Sequence, residues 1–216
     1  MTIEKLDWRA ALDRLMGMKL GCTERAVVSI SGTTCSGKTT FAQELETALV
    51  GEGVTVTMVH LDSYFRDKDD PLVPKDADGR SIFDLPSSYH GGEFISAVSA
   101  LSRGCCVDIP TFDLEKNKRR IGDNKLAMPA RVIIAEGLFA NTLLKDAKMF
   151  AICVFMDIPI ETCLNRRIER DVAQFSVTPE RVREIWRMKV LPYLNLQRGP
   201  EKDCATIIVT STDKGE

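Results

Sequence analysis

Residues 32–39 read Gly-Thr-Thr-Cys-Ser-Gly-Lys-Thr, the spacing G-x-x-x-x-G-K-[ST]. Glycines at both ends let a backbone wrap closely around an anion, with successive N–H groups turned inward. A helix starting at the lysine adds the positive end of its dipole to the same anion. The pattern makes Gly32, Thr33, Thr34, Cys35, Ser36, Gly37, Lys38, Thr39 and Thr40 candidates for binding the phosphates of a nucleotide. Lys38 is placed to reach the β- and γ-phosphates, and the Thr39 hydroxyl to ligand Mg²⁺. The competing reading is a chance glycine turn, which for this composition should produce such a match on the order of 1% of the time or less. A guanine-reading Asn-Lys-x-Asp is absent. Asn117-Lys118 runs into Arg119-Arg120, and Asn124-Lys125 into Leu126-Ala127, so ATP is the expected nucleotide.

Two carboxylates and two arginines extend this chemistry. Asp62, in the run His60–Phe65 (HLDSYF), follows an apolar β-branched stretch. A carboxylate at the carboxyl end of a strand can accept the proton of an attacking hydroxyl and hold it in line with a γ-phosphate. A solvated loop acid is the alternative. Glu136 ends the run Arg131–Ala135 and can hold a magnesium ion's hydration shell, or merely terminate a strand. Arg166 and Arg170 are four apart on a helical pattern, so one face presents two guanidiniums that could close over a transferring phosphoryl group. A solvated charged helix face is the plainer reading.

These groups need elements to position them. Ala26–Ser31, Val54–Leu61, Arg131–Ala135, Phe150–Met156 and Ala205–Val209 read as five buried strands. Helical spacing covers Glu4–Lys19, Lys38–Val50, Glu93–Leu101, Pro159–Asp171 and Pro179–Lys189. Residues 62–92 form a long loop, and Val107–Leu114 with Lys125–Pro129 form a small hairpin around the charged tip Glu115–Asp123. Strands alternating with helices predict an α/β fold, a doubly wound, mainly parallel five-stranded sheet. The expected layout is a single domain over 1–216, with an N-terminal helix in 1–24, an acceptor-side hairpin in 105–130 and a lid region in 160–190.

Among 216 residues, 29 Lys and Arg against 31 Asp and Glu give a net charge of −2. That balance argues against nucleic acid or an anionic membrane surface as partner. No apolar run approaches the ~20 residues of a membrane span. The cysteines, Cys22, Cys35, Cys105, Cys106, Cys153, Cys163 and Cys204, show no Cys-x-x-Cys pair. They are expected to be reduced, mostly small core residues of a cytoplasmic protein.

Seven segments in order resemble the uridine kinase and phosphoribulokinase family of P-loop kinases. They are Ser31–Ala42 (SGTTCSGKTTFA), Leu61–Phe65 (LDSYF), Phe83–Tyr89 (FDLPSSY), Pro110–Arg119 (PTFDLEKNKR), Ile133–Ala140 (IIAEGLFA), Arg166–Asp171 (RRIERD) and Cys204–Val209 (CATIIV). The resemblance implies an ATP- and Mg²⁺-dependent kinase of a small-molecule hydroxyl, uridine kinase-like, and it allows a homo-oligomer. It implies Asp62 as general base, Asp84 as holder of ribose hydroxyls, Glu136 beside the metal with Thr39, and Arg166 and Arg170 in a lid. Tyr64, Phe112, Asn117 and Arg119 fall in its acceptor-contacting segments. The family's base-reading hairpin has Tyr-Asp-Phe and then His, where this chain has Phe112, Asp113, Leu114 and then Asn117. Its lid continues Arg-Gly-Arg, where this chain has Val172-Ala173-Gln174. Those departures leave other acceptors open: another riboside, pantothenate, or a sugar phosphate bound by Lys116, Lys118, Arg119 and Arg120. A nucleotide-binding protein without kinase activity is the remaining alternative.

Overall fold

The computed structural model describes residues 3–76, 79–149 and 151–211. Its central sheet has strands β1 (Glu4–Leu6), β2 (Ala26–Gly32), β3 (Val56–His60), β6 (Val132–Glu136), β7 (Ile152–Met156) and β8 (Ile207–Val209). The order is β1-β8-β7-β2-β6-β3 and every pairing is parallel. β2 lies between β6 and β7, with Val28 opposite Ile134 on one side and Ile152 on the other. Both faces are covered, so β6 reads VIIAE without alternation and all of it is buried.

Helices α1 (Trp8–Gly17), α2 (Lys38–Gly51) and α5 (Ile160–Phe175) cover one face. There Trp8, Leu15, Phe41, Leu45 and Cys163 pack on Val28, Ile30, Val154 and Met156. On the other face, α3 (Gly91–Ser102) and α4 (Ala140–Asp146) set Phe94, Val98, Leu101 and Leu144 against Val27, Val59, Ile133 and Ala135. A separate antiparallel pair, β4 (Val107–Asp113) and β5 (Lys118–Ala127), stands beside the β3 edge. The chain continues through α6 (Pro179–Ile185), a π-turn at Trp186–Val190 and α7 (Leu194–Asp203) into β8.

The fold class stands, with several corrections. A sixth strand exists because the expected helix Glu4–Lys19 is divided. Asp7 accepts the Ala10 N–H at 2.7 Å as an N-cap, so the helix starts at Trp8 and Glu4–Leu6 is released to pair with β8. The second hairpin arm begins at Lys118, not Lys125. Its charges face solvent in a two-stranded ribbon, so no apolar alternation marks it, and the tip is only residues 114–117, with Asn117 left-handed at φ 51°. The helix from Pro159 runs on to Phe175, and the next one changes to a π-turn at Trp186. Phe150, expected to open a strand, lies outside the described residues, and the strand there is Ile152–Met156. The cysteines are free, but they are not mostly core: Cys153 and Cys163 are buried while Cys22, Cys105 and Cys106 are exposed. No helix of the described residues is long and apolar enough to cross a membrane.

Candidate active site

The phosphate loop links β2 to α2. Gly37 caps the helix in the left-handed region (φ 94°) and offers no side-chain acceptor, so the first N–H groups of α2 stay open toward the loop. A Cβ at Gly37 would press on the Trp8 ring at 3.2 Å, which only glycine avoids. Lys38 is 8% exposed and its Nζ donates to the Thr33 carbonyl at 2.9 Å, folding the ammonium back over the loop. From the far end of the chain, Arg198 donates to Thr33 Oγ1 at 3.2 Å and is held by Asp157 at 2.5 Å.

A cavity of about 420 Å³ opens over this loop, lined by Trp8, Cys35, Lys38, Thr39, Asp62, Glu136, Arg166 and Arg170 among others. The residues singled out for phosphoryl transfer thus meet around one space. Thr39 Oγ1 donates to Glu136 Oε1 at 3.3 Å, and His60 Nδ1 lies 2.7 Å from the same oxygen. Burial pushes the Glu136 carboxyl up, but the His60 contact, Lys38 and Thr39 outweigh it and hold the group below its ordinary value. Asp62, on the 3₁₀ turn Leu61–Tyr64 after β3, is pushed up to about 6. Desolvation is the main cause and the Glu136 charge the second, with Lys38 and His60 opposing. Its carboxylate still opens onto the cavity, so water there tempers the shift.

A second cavity of about 430 Å³ meets the first at Asp62 and is walled by His60, Ser63, Thr111, Phe112 and Lys125. On the same side, Phe65 touches Phe83, Tyr89 and Phe112, with centroids 5.4, 4.3 and 5.3 Å away. Asp84 is half-buried. Desolvation raises its pKa, opposed by Arg167, Lys38 and Lys189, and its main-chain carbonyl accepts from Gln197 at 2.6 Å. On α5, Asp171 takes Arg170 at 2.7 Å and Arg167 at 3.2 Å, which orients the arginine row.

Three predicted acceptor contacts are elsewhere. Tyr64 turns back against Phe94, at 5.6 Å, and lines a groove along α3. The Asn117 main-chain carbonyl takes the Lys68 N–H at 3.0 Å on the left-handed hairpin tip. Arg119 pairs with Glu93 at 2.9 Å. The basic tip is also neutralised, with Lys118 on Asp69 at 3.0 Å and Arg120 on Asp113 at 3.5 Å. Sequence reasoning missed Trp8, His60 and Arg198. His60 carried a signal, because it closes β3 at the carboxyl edge of the sheet, where ligands of α/β folds bind. Nothing local in the sequence announces that Trp8 or Arg198 reaches the loop.

A profile of the phosphoribulokinase/uridine kinase family matches residues 27–214. The chain belongs to this family. Family relatives include a uridine kinase of Tolumonas auensis, 30% identical over an alignment of 189 residues, with 85% of each chain covered. Another, from Shewanella halifaxensis, is 31% identical over 186 residues, covering 85% of this chain and 86% of that one. Among solved structures, a candidate fructose transport system kinase from Silicibacter sp. TM1040 superposes with a TM-score of 0.72 at 18% identity, covering 94% of this chain and 98% of the other. A candidate uridine kinase from Bacillus stearothermophilus gives 0.60 at 16% identity, over 93% and 98%. The last two likenesses establish the P-loop kinase fold. As a member of the phosphoribulokinase/uridine kinase family, the protein is an ATP-dependent kinase of a small-molecule acceptor.

Proposed function

We propose that the protein transfers the γ-phosphoryl group of ATP to the 5′-hydroxyl of a nucleoside, giving a 5′-monophosphate. The observation that carries this reading is the position of Asp62 where two cavities meet, the phosphate loop on one side and a pocket walled by His60, Thr111 and Phe112 on the other. ATP in the first cavity would direct its γ-phosphoryl toward Asp62, with Lys38, Arg166 and Arg170 around its oxygens. A nucleoside in the second would rest its base on Phe112 and bring its hydroxyl to the Asp62 carboxylate, which takes the proton. Asp84 would receive ribose hydroxyls. The transition state for such transfer is loose, so holding the two oxygens in line matters more than removing the proton.

The converging Thr39 hydroxyl and Glu136 carboxylate are hard oxygen donors and suit Mg²⁺, which tolerates few protein ligands and keeps several waters. Bound there with the nucleotide, the ion would neutralise charge on the β- and γ-phosphates. The helices of 160–190 would act as the lid of a single domain spanning 1–216, and the free thiols fit a cytoplasmic setting. A sugar phosphate fits less well, because Lys118, Arg119 and Arg120 already have acidic partners and leave little charge for a second anion.

The test is ADP release from ATP·Mg²⁺ with uridine, cytidine, nicotinamide riboside, pantothenate and ribulose 5-phosphate, using Lys38→Ala as blank. Stimulation by uridine or cytidine supports the reading, and a preference for pantothenate or ribulose 5-phosphate refutes it.

A further inference from the structure

His60 is the last residue of β3 and Glu136 the last of β6, and the two are register partners on neighbouring parallel strands. Partners in such a ladder lie about 4.8 Å apart and point to the same face, so both side chains emerge together at the carboxyl edge of the sheet. There His60 Nδ1 lies 2.7 Å from Glu136 Oε1. A carboxylate only accepts, so Nδ1 carries the hydrogen whether the imidazole is neutral or charged. The two residues also face different spaces: Glu136 lines the cavity over the phosphate loop, and His60 the one beyond Asp62.

Thr39 Oγ1 donates to the same Oε1 at 3.3 Å. Both bonds therefore fall on one oxygen, and among the described residues none falls on Oε2. With Oε1 gripped from two sides the carboxylate cannot turn freely, while its second oxygen is left for a ligand of the cavity. The imidazole bond is the shorter of the two and made to a carboxylate, so it is the firmer grip. A glutamate has three rotatable torsions, and a donor that must meet a cation from one direction gains from having them fixed beforehand.

We propose that His60 is a positioning residue for the divalent cation: its bond to Oε1 holds the Glu136 carboxylate ready for Mg²⁺ bound with the nucleotide, so metal affinity depends on a side chain from the wall of the second cavity. This rests on the Mg²⁺ reading of Thr39 and Glu136 above and adds to it the residue that sets the carboxylate. Partners that orient a metal ligand in this way are worth about 10- to 100-fold in metal affinity.

The experiment titrates Mn²⁺, a paramagnetic stand-in for Mg²⁺, into the full chain carrying a non-hydrolysable ATP analogue. Bound metal is read by electron paramagnetic resonance, with the affinity for the analogue in EDTA as control. His60→Ala should weaken Mn²⁺ binding about 10- to 100-fold and leave the metal-free affinity for the analogue unchanged. His60→Asn, whose amide N–H takes the place of Nδ1–H, should restore most of the loss, and His60→Gln, whose amide matches Nε2, should not. The Asn and Gln variants decide the matter even where His60→Ala does not fold. If His60→Ala binds Mn²⁺ as wild type does, if it loses the analogue equally in EDTA, or if Asn and Gln behave alike, His60 merely lines the cavity and the inference fails alone. If Glu136→Gln binds Mn²⁺ as tightly as wild type, the Mg²⁺ reading fails and takes the inference with it.

Discussion

Arg198, on the last helix, donates to Thr33 Oγ1 at 3.2 Å, while the Thr33 carbonyl receives Lys38 Nζ at 2.9 Å. Thr33 is thereby held from two sides, by the lysine of the phosphate loop and by an arginine from α7. Arg198→Ala releases one side. It should raise the KM for ATP about tenfold, the value of one charge-assisted hydrogen bond that is partly open to water, and leave the acceptor KM nearly unchanged. Steady-state kinetics with each substrate varied in turn separates the two.

Asp62→Asn keeps the shape and removes the proposed base. A fall of ~10²–10⁴-fold in kcat with ATP affinity nearly intact is expected, read by turnover and by nucleotide titration. The raised pKa of Asp62, about 6, means its carboxylate is protonated sooner as pH falls. Wild-type kcat/KM for the acceptor should therefore be flat above that value and drop tenfold per pH unit below it. A profile flat down to pH 5 would remove Asp62 from the proton transfer.

Glu201 offers a test of stability against pH. It is 1% exposed on α7 and accepts the Asn141 N–H at 3.0 Å and the Thr142 N–H at 3.2 Å, together with the Thr142 hydroxyl. Desolvation, only partly offset by those bonds, pushes it up to about 7 from 4.5. Between these values the unfolded chain has released the proton and the native chain retains it, so stability falls as pH rises. The contribution is full below about pH 4.5 and lost through about pH 7, amounting to ~3 kcal/mol. Glu201→Gln should show a smaller drop in Tm between pH 5 and pH 8 than wild type does.

Gly137, directly after Glu136, carries no side chain because a Cβ there would overlap the Cβ of Leu61. Leu61 is fully buried and precedes Asp62, so Gly137→Ala must shift the turn that carries Asp62. A loss of ~1–3 kcal/mol in stability is expected, seen by denaturant titration, with turnover reduced further than ATP binding.

Local pattern carried the phosphate loop, the four inner strands and the meeting of Lys38, Asp62 and Glu136 around one cavity, because each lies in a short run of consecutive residues. The hairpin's second arm was illegible because Lys118–Ala127 is stabilised by pairing with β4 and not by a buried apolar face. Helix α7 was hidden by Gly199 and Pro200, which usually end helices. Tyr64 was misplaced because the tight 3₁₀ turn swings it away from Asp62 and into the α3 side of the core, a rotation that residue spacing does not encode. Trp8 and Arg198 reach the loop through tertiary packing alone.

The pairing of Glu4 with Ile207 has a consequence for synthesis on the ribosome. β1 emerges first but finds its neighbour only when β8 has left the exit tunnel, and Arg198 arrives nearly as late. Trp8, which leans on Gly37, is fixed by the helix that follows β1. A nascent chain can therefore form the phosphate loop early, between β2 and α2, yet cannot lock it until the final strand is made. Translation stalled shortly before Ile207 should leave a chain that has its loop but still holds ATP poorly.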